Sequence, residues 1–241
     1  MPGGGFGRRL RRWALLALIG WLAVTIVPVL VLRWIPPFTS AFMLEARIAA
    51  LRAGDGRYRT DYRWVSLERI SPQAAIAVIA SEDQTFPYNY GFDFKSIRSA
   101  VRAAQHGARL RGASTISQQV ARNLFLWPGR SWVRKGVEAY LTVLLEALWP
   151  KERILEVYLN VAQFGRGIYG VEAAARRFYH EPAARLTAGQ AALLAAVLPD
   201  PVHWHVQRPS RFVAWKQRWI LGQMRNLGGA AYLREVGQDH P

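Results

Sequence analysis

The chain has 241 residues and no cysteine, which excludes a disulfide framework and a thiolate metal site. Setting aside one apolar N-terminal run leaves about 200 residues, enough for a single well-buried domain. Lysine and arginine total 32 against 16 acids, and the net charge of +16 asks for an anionic partner: nucleic acid, lipid headgroups or a phosphorylated substrate.

Trp13–Leu32 carries no charge over 20 residues. As a helix that run spans about 30 Å, the thickness of a hydrocarbon core. Arg8, Arg9, Arg11 and Arg12 precede it. The positive-inside rule then keeps the N-terminus cytoplasmic and sends the rest across. The run exceeds a signal-peptide core and lacks a small-residue cleavage site, so it reads as an uncleaved anchor. A domain outside the cytoplasmic membrane does not meet the chromosome, and nucleic acid drops out as a partner.

Phe38–Leu51 has apolar residues at helical spacing and reads as a helix lying on the bilayer or on the domain. Arg52–Arg63 is rich in glycine and charge and reads as a linker; Trp64–Leu67 reads as a short extended piece. Ser71-Pro72 is a helix start, Ser as cap and Pro at the first position, and that helix runs into Glu82. Asp93 is placed to cap Phe94–His106; Gly107–Gly112 is a basic break; Ala113–Leu126 is helical after a Ser114 or Thr115 cap. Ser131 caps Trp132–Trp149, and Lys151–Val161 follows Pro150. Gly165, Gly167 and Gly170 read as a flexible loop before a helix over Val171–Tyr179. Thr187 caps the core helix Ala188–Leu198, and Ser210 caps Arg211–Leu227, which ends at Gly228-Gly229 before a frayed tail. The fold class is therefore all-α, or mainly α. The expected layout is a basic N-terminus (1–12), an anchor (13–32), a membrane-proximal helix and linker (33–63), one helical domain (64–228) and a tail (229–241).

Several residue groups break local rules. Glu82 and Asp83 stand at a helix C-terminus, where the dipole disfavours carboxylates by roughly 0.3–1 kcal/mol. Such breaks tend to mark function. Phe86, Tyr88 and Tyr90 follow them. Ser114, Thr115, Ser117, Gln118, Gln119, Arg122 and Asn123 offer hydroxyls, amides and a guanidinium, a set suited to a sugar or phosphate. Arg130, Arg134 and Lys135 surround a helix N-terminus, which makes an anion site. Glu138, four residues after Arg134, reads as an intrahelical ion pair or as part of that site. No metal-ligand spacing, Walker loop or dinucleotide fingerprint occurs. Two carboxylates, a hydroxyl-and-amide face and a cation cluster outside a membrane suit glycosyl transfer from a lipid-linked sugar diphosphate.

The chain resembles the monofunctional biosynthetic peptidoglycan transglycosylases (glycosyltransferase family 51). The resemblance rests on ordered blocks: SEDQTF with GFD, RGASTISQQVARNLFLWPGRSWVRKGVEA, KERILEVYLNVAQFGRGIYGVEAAARRFY and LTAGQAALLAAVLPDP. It implies a lysozyme-like α-helical fold and polymerisation of lipid II into β-1,4 glycan with release of undecaprenyl diphosphate. It implies that Glu82 is the general base and Glu138 the second essential glutamate. It places Thr115, Gln119, Asn123, Arg130, Arg134 and Lys135 in the donor site, with Asp83, Phe86, Gln118 and Arg122 as further substrate-binding candidates. Two positions depart from the family: Asn89 stands where histidine is usual, and Arg122 where lysine is usual. The implied ligands and partners are lipid II, the growing strand, inner-membrane lipid and cell-wall synthesis proteins. A divalent cation (magnesium or manganese) at the diphosphate stays open, as do a lysozyme-like lytic enzyme and an anchored glycan- or lipid II-binding protein without turnover.

Overall fold

The computed structural model describes residues 4–105, 114–129 and 131–238. The chain divides between Pro37 and Phe38 into two units. The first is a single helix, α1 (Gly4–Leu32). Its stretch Arg8–Leu32 is long and apolar enough to cross a membrane. Apolar side chains are exposed around it, among them Trp13, Trp21 and Val24. A helix that is apolar around its circumference suits lipid as its solvent. Thr25 turns its hydroxyl back to the Trp21 carbonyl at 2.9 Å, so the run exposes no unpaired hydroxyl.

The second unit is built around α3 (Pro72–Glu82), whose residues Ala74–Ala80 are all buried. The start is as the sequence predicts: the Ser71 hydroxyl accepts from the Gln73 N–H and donates to the Leu186 carbonyl at 2.7 Å. Alanine at four of those seven positions lets neighbouring backbones approach closely. α9 (Ala188–Val197), α10 (Arg211–Asn226) and a 3₁₀ turn over Gly229–Glu235 pack on α3. Of the tail expected to fray, Gly229–Glu235 instead packs on the domain. The Tyr232 hydroxyl donates to the Gln84 carbonyl at 2.8 Å, just beyond the end of α3.

A second group packs on α5 (Ile116–Phe125): α6 (Trp132–Leu148), α7 (Lys151–Val161) and α2 (Ala41–Arg52). α2 therefore lies on the domain. Ser40 and Ser131 cap α2 and α6 through their side chains. α4 (Phe94–Gln105) leads to residues 106–113, so His106 and the basic break at 107–112 lie outside the described residues. α8 (Val171–Tyr179) completes the ten α-helices described.

Two sequence expectations need correction. The stretch read as a flexible loop is a hairpin of β2 (Gln163–Gly165) and β3 (Ile168–Tyr169), and the segment read as linker ends in β1 (Asp61–Tyr62), parallel to β3. Gly167 has φ +73°, and a methyl group there would sit 2.3 Å from the Arg59 carbonyl oxygen. The glycine permits close backbone packing. The Trp64–Leu67 piece is held by a side chain instead of a strand: the buried Asn160 amide donates to the Val65 carbonyl and accepts from its N–H, both at 2.9 Å.

Gly167→Ala is expected to destabilise the domain by about 1–3 kcal/mol, because the side chain meets both a positive φ and a carbonyl. Gly189→Ala, in α9 with nothing within 4 Å of the new methyl, is expected to be neutral or stabilising by up to about 1 kcal/mol. Urea midpoints of the two variants check the pair.

Candidate active site

α3 delivers both acids at its last turn. Glu82 is its final residue, and Asp83 leaves the helix with φ −160° and ψ 79°. The dipole penalty is offset by two side-chain donors, one from α5 and one from the last turn of α3 itself. Glu82 Oε2 accepts from Gln119 Nε2 at 3.0 Å, and Oε1 accepts from the Ser81 hydroxyl at 3.1 Å. The Tyr158 hydroxyl donates to Gln119 Oε1 at 3.1 Å, which turns the amide's N–H side toward the carboxylate. Tyr158 is buried, and its hydroxyl is pushed well above the ordinary tyrosine range by burial and then by the Glu82 charge. It stays a donor at any physiological pH.

Asp83 takes a different set of donors. Its Oδ2 accepts from the Ile116 N–H at 3.0 Å, at the first residue of α5, and Oδ1 accepts from Asn89 Nδ2 at 2.8 Å. Burial pushes the Asp83 carboxyl up to about 6, against the pull of the Ile116 and Asn89 hydrogen bonds and the Lys151 charge. Asn89 also accepts from the Gly91 N–H at 3.1 Å. One amide supplies a fixed donor and a fixed acceptor without titrating.

The start of α5 closes this junction. The Thr115 hydroxyl accepts from the Gln118 N–H at 3.2 Å and donates to the Gly91 carbonyl at 2.7 Å; Gln118 Oε1 accepts from the Thr115 N–H at 3.1 Å. This is a capping box tied to the loop after the acids. Thr115 and Gln118 are buried, and their polar groups hold the helix start. Phe86 is wholly buried, with the Lys151 ammonium 4.8 Å from its ring centroid. Its ring packs beneath the loop that follows the acids.

Glu82 lies between two clefts. One, about 760 Å³, runs along the aromatic loop and includes Asp83, Asn89, Phe92, Phe94 and Thr115. The other, about 770 Å³, is formed with Gln119, Arg122 and residues of α10. Gln119, Arg122 and Asn123 also line a smaller cavity of about 170 Å³ beside Tyr158. A cavity of about 880 Å³ at the β-sheet holds none of the candidates, and its acids Asp55 and Asp61 are paired with Arg166 and Arg63.

Glu138, Arg134 and Lys135 line neither Glu82 cleft. They form a cluster on the first turns of α6. Glu138 is buried, and its two oxygens accept separately from Arg134 Nη1, at 3.1 Å, and from Lys135 Nζ. The ion-pair reading of Glu138 therefore holds, with a second cation added. Arg134 Nε is buried without a partner among the described residues, while Lys135 is half exposed. Arg130 lies outside the described residues. Among those described, no three acidic or histidine side chains group to hold a metal ion.

The sequence reading missed Tyr158 and Lys216. Tyr158 stands among apolar residues of α7, yet a buried tyrosine hydroxyl needs a partner, and that rule was the available signal. Lys216 stands on the aromatic stripe of α10, four residues after Phe212 and three before Trp219. Burial lowers its ammonium's affinity for the proton and the Glu82 charge partly restores it.

The transglycosylase family profile matches residues 48–225. The chain is 52% identical over 227 residues to a biosynthetic peptidoglycan transglycosylase of Cronobacter sakazakii, with 94% of each chain covered. It is 51% identical over 216 residues to one from Mannheimia succiniciproducens (90% of this chain, 88% of the relative). For one from Chromohalobacter salexigens the figure is 49% over 229 residues, covering 95% and 97%. With the profile matched over residues 48–225 and relatives about half identical across nine-tenths of the chain, the chain belongs to the transglycosylase family.

Proposed function

We propose that this protein is a membrane-anchored peptidoglycan glycosyltransferase that polymerises lipid II, with Glu82 as the general base. The observation that carries the reading is the Glu82 carboxylate. It stands between two clefts, and its orientation is fixed by Gln119, which Tyr158 fixes in turn. Glu82 takes the proton of the acceptor 4-hydroxyl as that oxygen attacks the donor C1. The C1–O bond to the diphosphate breaks, and its electron pair leaves with undecaprenyl diphosphate. Arg122 and the α6 cations Arg134 and Lys135 stabilise the negative charge that develops there. Glu138 holds those two cations in place. Arg8, Arg9, Arg11 and Arg12 keep the N-terminus cytoplasmic, so the domain works on the outer face of the inner membrane. Both Glu138 oxygens are taken by cations, so Glu138 itself is not free to hold magnesium or manganese. A cation at the diphosphate would be held by phosphate oxygens.

Asp83 adds a pH dependence to this site. Its pKa is raised on folding, so between about 4 and 6 the native state binds more protons than the unfolded one. Stability from this group is then present at low pH and is lost as pH rises through about 6. A shift from 3.8 to about 6 corresponds to a cost of order 2–3 kcal/mol at neutral pH. The fold retains Asp83 because it is the clamp between α3 and α5.

Three outcomes follow from this reading. Glu82→Gln, given labelled lipid II, makes no polymer while its far-UV spectrum stays native; polymerisation at the wild-type rate would remove Glu82 from the base role, and muropeptides released from sacculi by the wild type would favour a lytic enzyme. Tyr158→Phe lowers kcat by about tenfold, the worth of one hydrogen bond of about 1.4 kcal/mol, with little change in KM. For Asp83→Asn, urea midpoints at pH 4.5 and 7 lose the Asp83 part of the slope seen in the wild type; an unaltered slope would assign it to other groups.

A further inference from the structure

The arm of the second cleft that leads away from Glu82 is walled by α10 and the loop before it. Phe212, Trp215 and Trp219 lie at helical spacing on one stripe and are 39–52% exposed. A stripe of that kind is normally core. Here it faces the cleft. Trp204 closes the stripe from the loop, its ring edge-on to Phe212 with centroids 5.2 Å apart, and Phe212 continues to Trp215 at 5.7 Å. The Lys216 ammonium sits 5.8 Å from the Trp204 ring centroid and within the field of Glu82. Gln119 and Arg122 stand across the cleft, and Leu198 and Pro199 also line it.

We infer that this arm is a saccharide-stacking subsite, in which the glycan strand lies against the α10 rings as it passes Glu82, and that it sets the length of the product. The inference rests on the polymerase reading above. A pyranose ring has an apolar C–H face and a rim of hydroxyls. The arm offers ring faces along one wall and a carboxylate, an ammonium, a guanidinium and an amide around them, the mix that orients a polar ligand in an apolar site. From Phe212 to Trp219 the wall is two helical turns, about 10 Å, longer than one hexose. A lipid chain suits it poorly, since hydrocarbon laid over Lys216, Arg122 and Glu82 would desolvate three charges without replacing their hydrogen bonds.

The test uses the full chain in phospholipid vesicles. The probe is chitotetraose, a soluble β-1,4-linked N-acetylglucosamine tetramer that shares the strand's linkage, with labelled lipid II in a parallel assay of product length. Trp215→Ala and Trp215→Leu are each expected to weaken tetramer binding by about tenfold or more, as for loss of an aromatic anchor, and to shorten the polymer. Trp215→Phe, which keeps a ring face, is expected to retain both. The inference is overturned if the wild type does not bind the tetramer, or if Trp215→Ala binds it as well as wild type does. It is also overturned if Trp215→Leu matches Trp215→Phe, or if the variants lose only vesicle association, since the wall then contacts lipid. Tetramer binding needs no turnover. Failure of the polymerase reading would appear instead as lipid II left unpolymerised by a wild type that still binds the tetramer.

Discussion

The site depends on one junction, where the C-terminal end of α3 meets the N-terminal end of α5 through Asp83. Left alone, α3 would end on two carboxylates facing its own negative pole, and α5 would begin with unpaired N–H groups. Asp83 resolves both by accepting the Ile116 N–H, which brings an acid from the wrong end of one dipole to the right end of another. Once that bond is made, little freedom is left to the neighbours. Glu82, one residue earlier, is aimed at the α5 face that carries Gln119, and Asn89 and Gly91 are drawn in after it.

The junction stays rigid because its polar groups are buried and paired. Gly91 has φ +80°, and a methyl group there would sit 2.6 Å from Thr142 Cγ2 and 2.9 Å from Glu146 Cγ. The loop after the acids therefore packs directly on α6. Glu146 accepts from Ser117 of α5 and from Lys151 of α7, and Lys151 also donates to the Asn89 carbonyl. Three helices and the loop share one network, and removing one partner would leave a buried charge unmatched. The acid that does the proposed chemistry is thus placed by residues that never touch the substrate.

Local features of this fold were legible in the sequence, and features joined across the chain were not. Ser71-Pro72, Ser131, Thr187 and Ser210 each cap where the side-chain pattern says, because capping is decided within four residues. Glu82 drew notice by breaking the dipole rule, which is also local. Tyr158 lies 39 residues from Gln119, and Tyr232 lies 148 from Gln84. No period or spacing announces such contacts. Gly167 reads as flexibility because its reason, a carbonyl at Arg59, is about a hundred residues away. Thr115 and Gln118 show a related limit. Their residue types suit a sugar, yet the same hydroxyl and amide suit a capping box, and the structure uses them for the cap.

The α6 cluster carries the electrostatic argument further. Arg134 and Lys135 give two positive charges and Glu138 removes one, so the set presents a net +1 with the acid buried between its partners. On the proposed reading, a site of bare cations would bind the diphosphate of the substrate and that of the product alike, and uniform binding does not speed the chemical step. Glu138 tempers the ground-state attraction and keeps the donors aimed. When the C1–O bond breaks, the diphosphate gains charge, and donors already held in place need no reorganisation to meet that gain. The buried glutamate is then no contradiction in an anion site. On that reading its part is positional: it holds the two cations that meet the charge.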